Sequence, residues 1–173
     1  KQNSLLENGT HQLLSEKEFV GKIIAANDAK QNKDFMIIAR VEALIAGLGM
    51  NEAIQRAQAY EKAGADAILI HSKKNTPDEV FEFVDSWKGN LPIVVVPTNY
   101  NSVSIDELIQ HGIKMTIYAN QTLRASHASI TKILDKMIKA KSMKEIENEI
   151  SSMDDIFQLQ EMYDLKVHDV ELE

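Results

Sequence analysis

Arg40, Glu42 and His71 are the residues whose types and positions could do chemistry. Arg40 follows the apolar run Phe35-Met36-Ile37-Ile38-Ala39, and Glu42 comes two residues later. His71 follows a second apolar run, Ala67-Ile68-Leu69-Ile70, and opens the polar stretch His71-Ser72-Lys73-Lys74. Continuous apolar runs of this length suit strands buried on both faces, as in a parallel sheet. In parallel α/β folds the reacting groups gather at the carboxyl ends of strands. A guanidinium there presents a planar fork of donors suited to a carboxylate or a phosphoryl group. An imidazole beside it could donate to an anionic oxygen or carry a proton. Glu42 shares strand parity with Arg40 and could orient it, or the two could form a buried ion pair without a substrate role. His71 alone could equally be a satisfied core histidine. Its place beside Arg40 on a neighbouring strand is what points to a site.

Other polar residues are weaker candidates. Thr98 and Asn120 close two further strands and could bond a substrate or cap helices. Lys73 and Lys74 read as solvated loop charges. His11, His111, His127 and His168 show no ligand spacing, so no metal site can be built from this chain. Asp154 and Asp155 suit the start of a helix, where negative charge is favourable.

The elements that would position these residues alternate along the chain. Residues 1–14 are polar, carry the turn signal Asn8-Gly9, and read as an exposed loop. Ser15 and Glu18 have capping-box spacing, and a helix should run to about Asn32 with Phe19, Ile23, Ile24 and Ala26 inward. Strands are expected over Phe35–Val41, Ala67–Ile70, Ile93–Val96 and Met115–Ala119. Helices are expected over Asn51–Ala63 (ended by Gly64 as a C-cap), Pro77–Trp87, Ser104–His111 and about Leu123–Ala140. Four βα units in a row give an α/β class with a parallel sheet, either an open doubly wound sheet or part of a (β/α)₈ barrel. No glycine-rich phosphate loop follows any strand, which weakens the nucleotide-binding version. In the barrel version, four units and a preceding helix over residues 1–141 would be its second half. Residues 142–173 read as extra carboxyl-terminal helices, broken near Ser151-Ser152, that pack on the barrel or on a partner subunit.

The chain has 173 residues, no cysteine and a net charge of −7. That charge argues against nucleic acid as the main partner, although a few local cations could still bind a small anion. No segment approaches the apolar length of a membrane span, and the composition fits a cytoplasmic enzyme. The start at Lys1 inside a loop-like stretch suggests a portion of a longer protein.

Several stretches together resemble the phosphoenolpyruvate phosphomutases of the isocitrate lyase superfamily. They are Lys1-Gln2-Asn3-Ser4, Ala39-Arg40-Val41-Glu42-Ala43, Ala46-Gly47-Leu48-Gly49, Gly64-Ala65-Asp66-Ala67 and His71-Ser72-Lys73-Lys74. Val96-Pro97-Thr98 and Tyr118-Ala119-Asn120, with Leu123-Arg124-Ala125, extend the resemblance over almost the whole chain. It implies the carboxyl-terminal part of a (β/α)₈ barrel and Mg²⁺-dependent interconversion of phosphoenolpyruvate and phosphonopyruvate. It puts the Mg²⁺ ligands upstream of Lys1. It gives Lys1, Asn3 and Ser4 to a gating loop, with Asn3 on the phosphoryl group. Arg40 would bridge phosphoryl and pyruvyl oxygens, and His71 would donate to the phosphoryl group. It also implies a homo-oligomer, dimer or tetramer, that exchanges the last barrel helix.

Such a set of donors suits a phosphoryl transfer through a loose, metaphosphate-like state, which needs positioning, charge stabilisation and exclusion of water. The same framework could serve a phosphonopyruvate hydrolase, though Asn3 favours the mutase. It could also serve a carbon–carbon lyase of the superfamily, or a barrel-derived binding protein that has lost its metal.

Overall fold

In the computed structural model, residues 12–163 are described. Lys1, Asn3, Ser4, His11 and His168 therefore lie outside the described residues. The elements run α1 (Glu16–Asp28), β1 (Ile38–Val41), α2 (Gly49–Lys62), β2 (Ala67–Ile70), α3 (Asp78–Ser86), β3 (Ile93–Val95), α4 (Ile105–Gln110), β4 (Met115–Thr116), α5 (Gln121–Lys139), α6 (Lys144–Glu147) and α7 (Met153–Leu159).

The strands form one parallel sheet in the order β1-β2-β3-β4. A doubly wound sheet reverses its strand order and carries helices on both faces. Here neighbours in sequence are neighbours in space, and one face takes helices α1–α4. Ala39, Val41, Ile68, Ile70, Ile93 and Val95 join Ile23, Ala57, Val80, Phe83 and Leu108 in the main core. The opposite face holds a small cluster, Ala67, Leu69 and Val94, with Ile38, Val96 and Ile117 against it. Sequential order with helices outside is an arc of a barrel wall, so the barrel reading holds. Arg40 pairs in register with Leu69 and so lies on the helix-free face.

Local signals place the boundaries. Ser15 and Glu18 make the expected capping box on α1. That helix ends at Asp28, not near Asn32, because no large apolar residue in 29–34 draws another turn against the core. Its inward face is Phe19, Val20 and Ile23. Ile24 and Ala26 are exposed, and Ile24 lies one residue step of about 100° from the buried Ile23. Phe35 and Met36 were expected in β1 but precede it, and Phe35 is 63% exposed. The chain joins the sheet where Asp66 accepts the Ile37 N–H at 2.7 Å, one residue before Ile38 pairs with Ala67. The expected strands at Ile93–Val96 and Met115–Ala119 are likewise shorter, ending at Val95 and Thr116.

Gly64 closes α2 in a Schellman arrangement: its N–H donates to Glu61 O and the Ala65 N–H to Tyr60 O. Its φ is +95°, and a Cβ there would stand 1.9 Å from Asn27 Nδ2, which donates to the Gly64 carbonyl at 2.7 Å. Gly64→Ala is expected to cost about 2–3 kcal/mol, from left-handed strain and the displaced Asn27 bond. Urea unfolding of the full-length protein checks this, and an unchanged midpoint would contradict it.

The chain divides into two compact units, Lys1–Ala119 and Asn120–Glu173. Residue 141 falls in the loop between α5 and α6, inside the second unit. There Lys132 and Lys136 grip Glu149, whose carboxyl is pulled down to about 2 by these two ammonium groups. Ser152 and Asp155 cap α7, as the acidic start at Asp154 and Asp155 suggested.

Candidate active site

The site is built at the carboxyl ends of β1 and β2. Strand alternation puts Ile38, Arg40 and Glu42 on one face, and Leu69 and His71 on the same face of the next strand. One terminal nitrogen of Arg40, Nη2, lies 2.7 Å from Glu42 Oε1 and 2.7 Å from His71 Nδ1. Glu42 is 6% exposed and His71 5%, whereas the Arg40 side chain keeps 39% of its surface. The inner end of the guanidinium is thus held by buried partners, while the arginine still reaches solvent on the face where a ligand would sit.

That geometry fixes the histidine. A guanidinium can only donate, so Nδ1 of His71 must accept and carries no proton. The neutral ring then bears its hydrogen on Nε2, which presents a donor. Glu42 compensates the Arg40 charge from below and keeps the fork in one orientation. Three side chains from two strands therefore act as one relay of orientation, Glu42 to Arg40 to His71.

The stretch after His71 is also constrained. Ser72 is 1% exposed, and its hydroxyl donates to Glu79 Oε2 and accepts the Lys74 N–H at 3.0 Å. Asn99 Nδ2 donates to the Lys73 carbonyl at 3.2 Å. Lys74 is exposed as expected, but Lys73 is half-buried. Ser72, Glu79 and Asn99 were not singled out from the sequence. The available signal was that Ser72 adjoins His71 and Asn99 adjoins Thr98.

Thr98 sits in the β3–α4 turn, where its N–H donates to Val96 O at 2.8 Å. Asn120 occupies the N-cap position of α5 in the second unit, and its N–H donates to Gln121 Oε1 at 3.1 Å. His111 stacks on Phe81 with ring centroids 3.6 Å apart, and His127 lies exposed on α5.

Among the described residues, no group of three His, Asp or Glu side chains could hold a metal ion. The carboxylate in the site, Glu42, is ion-paired to Arg40. The described residues therefore do not fit Mg²⁺ as its ligands. The Arg40 guanidinium and the His71 ring are donors of the kind that suits an anion with several oxygens.

A family model described as phosphoenolpyruvate phosphomutase matches residues 2–138. A phosphoenolpyruvate phosphomutase of Tetrahymena pyriformis is 41% identical over 169 residues, covering 98% of this chain and 56% of that protein. A phosphonopyruvate hydrolase of Variovorax sp. (strain Pal2) is 44% identical over 161 residues, covering 92% and 56%. The crystal structure of a phosphoenolpyruvate phosphomutase from Streptomyces platensis subsp. rosaceus superimposes with a TM-score of 0.94 at 41% identity, over 99% of this chain and 60% of that one. A phosphonopyruvate hydrolase solved in complex with oxalate and Mg²⁺ gives 0.89 at 39%, over 96% and 59%. The chain spans about half the length of the curated relatives it matches.

Proposed function

We propose that this chain, which belongs to the phosphoenolpyruvate phosphomutase family, is the carboxyl-terminal part of an enzyme that interconverts phosphonopyruvate and phosphoenolpyruvate. The observation that carries the reading is the Glu42–Arg40–His71 arrangement at the ends of β1 and β2. Mg²⁺ in this reading is held by residues outside the chain.

Towards phosphoenolpyruvate, the carbon–phosphorus bond breaks and its electron pair stays on carbon. Pyruvate enolate and a metaphosphate-like group result. The phosphorus then bonds to the enolate oxygen. No proton, water or second substrate is consumed, so the protein needs no nucleophile. Arg40 spans phosphoryl and pyruvyl oxygens and holds the two fragments in register while charge shifts between them. His71 donates from Nε2 to a phosphoryl oxygen, in the tautomer that Arg40 imposes. Asn3 contacts the phosphoryl group from the segment that, with Lys1 and Ser4, closes over substrate and excludes water.

The hydrolase reading uses the same framework but lets water take the phosphoryl group. Relatives of both names are similar to this chain at near 40% identity, so overall likeness does not choose between them. Asn3 supports the mutase. In the full-length protein, Asn3→Ala is expected to slow phosphoenolpyruvate formation at least about tenfold and to release some pyruvate directly. Lactate dehydrogenase reads pyruvate, and adding pyruvate kinase with ADP reads phosphoenolpyruvate. Unchanged rate and products would remove Asn3 from the site.

The assembly proposed is a cytoplasmic homo-oligomer, dimer or tetramer. No described helix is long and apolar enough to cross a membrane. Helix α5 has no buried residue and shows Leu123, Ile130, Leu134 and Ile138 along one face, which supports a partner subunit there. A full-length protein that scatters light as a monomer would contradict this.

A further inference from the structure

We infer that Glu79 is a positioning residue. Through Ser72 it fixes the chain that carries His71, and so holds the His71 ring with Nδ1 on Arg40 and the Nε2 hydrogen directed at substrate. The last clause rests on the function proposed above; the rest stands on geometry alone.

Ser72 is one peptide bond from His71. Its hydroxyl has a single proton, which goes to Glu79 Oε2 at 2.5 Å. Its oxygen also accepts the Lys74 N–H at 3.0 Å, closing a tight turn over 72–74. At 1% exposure Ser72 itself is closed to solvent. Glu79 stands in the first turn of α3, where a carboxylate is favoured by the helix dipole. That helix is seated on the sheet by Val80 and Phe83, both fully buried. The anchor is therefore rigid. On the other flank, Asn99 ties down the Lys73 carbonyl.

The Ser72 hydroxyl is buried and costly to desolvate, Glu79 is half-buried, and the core already holds β2 and α3 in place. What the pair adds is direction: it sets where the chain leaves β2 and hence where the His71 ring points. The Arg40–His71 contact is 2.7 Å. A displacement of about 1 Å would take it beyond hydrogen-bond reach and cost up to about 10²-fold in rate.

The test uses full-length protein labelled with ¹⁵N, without substrate, and reads the His71 ring nitrogens, assigned by their loss in a His71→Asn sample. The wild type is expected to show unprotonated Nδ1 and protonated Nε2. Glu79→Ala is expected to mix the two tautomers and to lower kcat about tenfold to hundredfold, with KM changed no more than about twofold. Glu79→Gln restores both, because its carbonyl still accepts the Ser72 proton. If Glu79→Ala does not fold, Ser72→Ala, which keeps nearly the same buried volume, is expected to give the same tautomer shift. Ring signals left at wild type, with or without a fall in kcat, overturn the inference, as does failure of Gln to rescue. The ring signals are read without turnover. A protein that failed to form phosphoenolpyruvate would therefore sink the proposed function and leave the Glu79 result standing.

Discussion

Arg40→Ala in the full-length enzyme is expected to lower kcat/KM for phosphonopyruvate by about 10³-fold or more. Removing one preorganised donor at a developing charge typically costs about 10²–10³-fold. Arg40 supplies more than one donor and a full positive charge, and it also sets the His71 tautomer. The substitution also removes an ion-pair partner from a buried carboxylate, since Glu42 is 6% exposed and lies 2.7 Å from Arg40. Breaking a buried pair costs up to about 3–5 kcal/mol, softened here because Arg40 itself keeps 39% of its side-chain surface. Catalysis and stability can therefore be separated. The double variant Arg40→Ala, Glu42→Gln should regain most of the lost stability, with no recovery of turnover. Steady-state kinetics and urea unfolding on the same samples check both halves. Near-normal activity in Arg40→Ala would remove it from the site.

His71 has two nitrogens with separate duties, and two substitutions pull them apart. Asparagine places a carbonyl oxygen near the Nδ1 position, so His71→Asn can still accept from Arg40 but has no donor at the Nε2 position. Glutamine reaches further, so His71→Gln keeps an N–H donor near Nε2. If the Nε2 hydrogen stabilises the phosphoryl group, Asn loses about 10²–10³-fold in kcat and Gln about tenfold less than that. Equal losses, or a greater loss in Gln, would mean that holding Arg40 is what His71 does. Single-turnover rates are the measurement, because they isolate the chemical step.

Much of this was legible in the residues. Two continuous apolar runs ending in Arg40 and His71 announced a parallel sheet with polar groups at its carboxyl ends, and the structure brings those side chains within a hydrogen bond. The capping box at Ser15 and the C-cap at Gly64 were readable because each depends on a few adjacent residues. Choosing an arc of a barrel over a doubly wound sheet was not readable from alternation alone, because both give βα repeats. The strand order and the one-sided helix layer decide it. Phe35 and Met36 were misassigned because apolar character marks a buried run, whereas a strand needs a bonded neighbour, and β2 begins opposite Ile38. Ile24 was misplaced because adjacent residues on a helix differ by about 100°, and Ile23 takes the buried position. Ser72 and Glu79 were missed because their pairing joins a turn to the helix seven residues on, and serine is ordinary in such a turn.

The most direct test of the central claim is phosphorus NMR on the full-length protein with phosphonopyruvate and Mg²⁺. The account predicts that the phosphonate signal decays while a phosphoenolpyruvate signal grows, with no inorganic phosphate. Inorganic phosphate in place of phosphoenolpyruvate would show that water takes the phosphoryl group. The donor site would then belong to a hydrolase, and the mutase reading would be wrong.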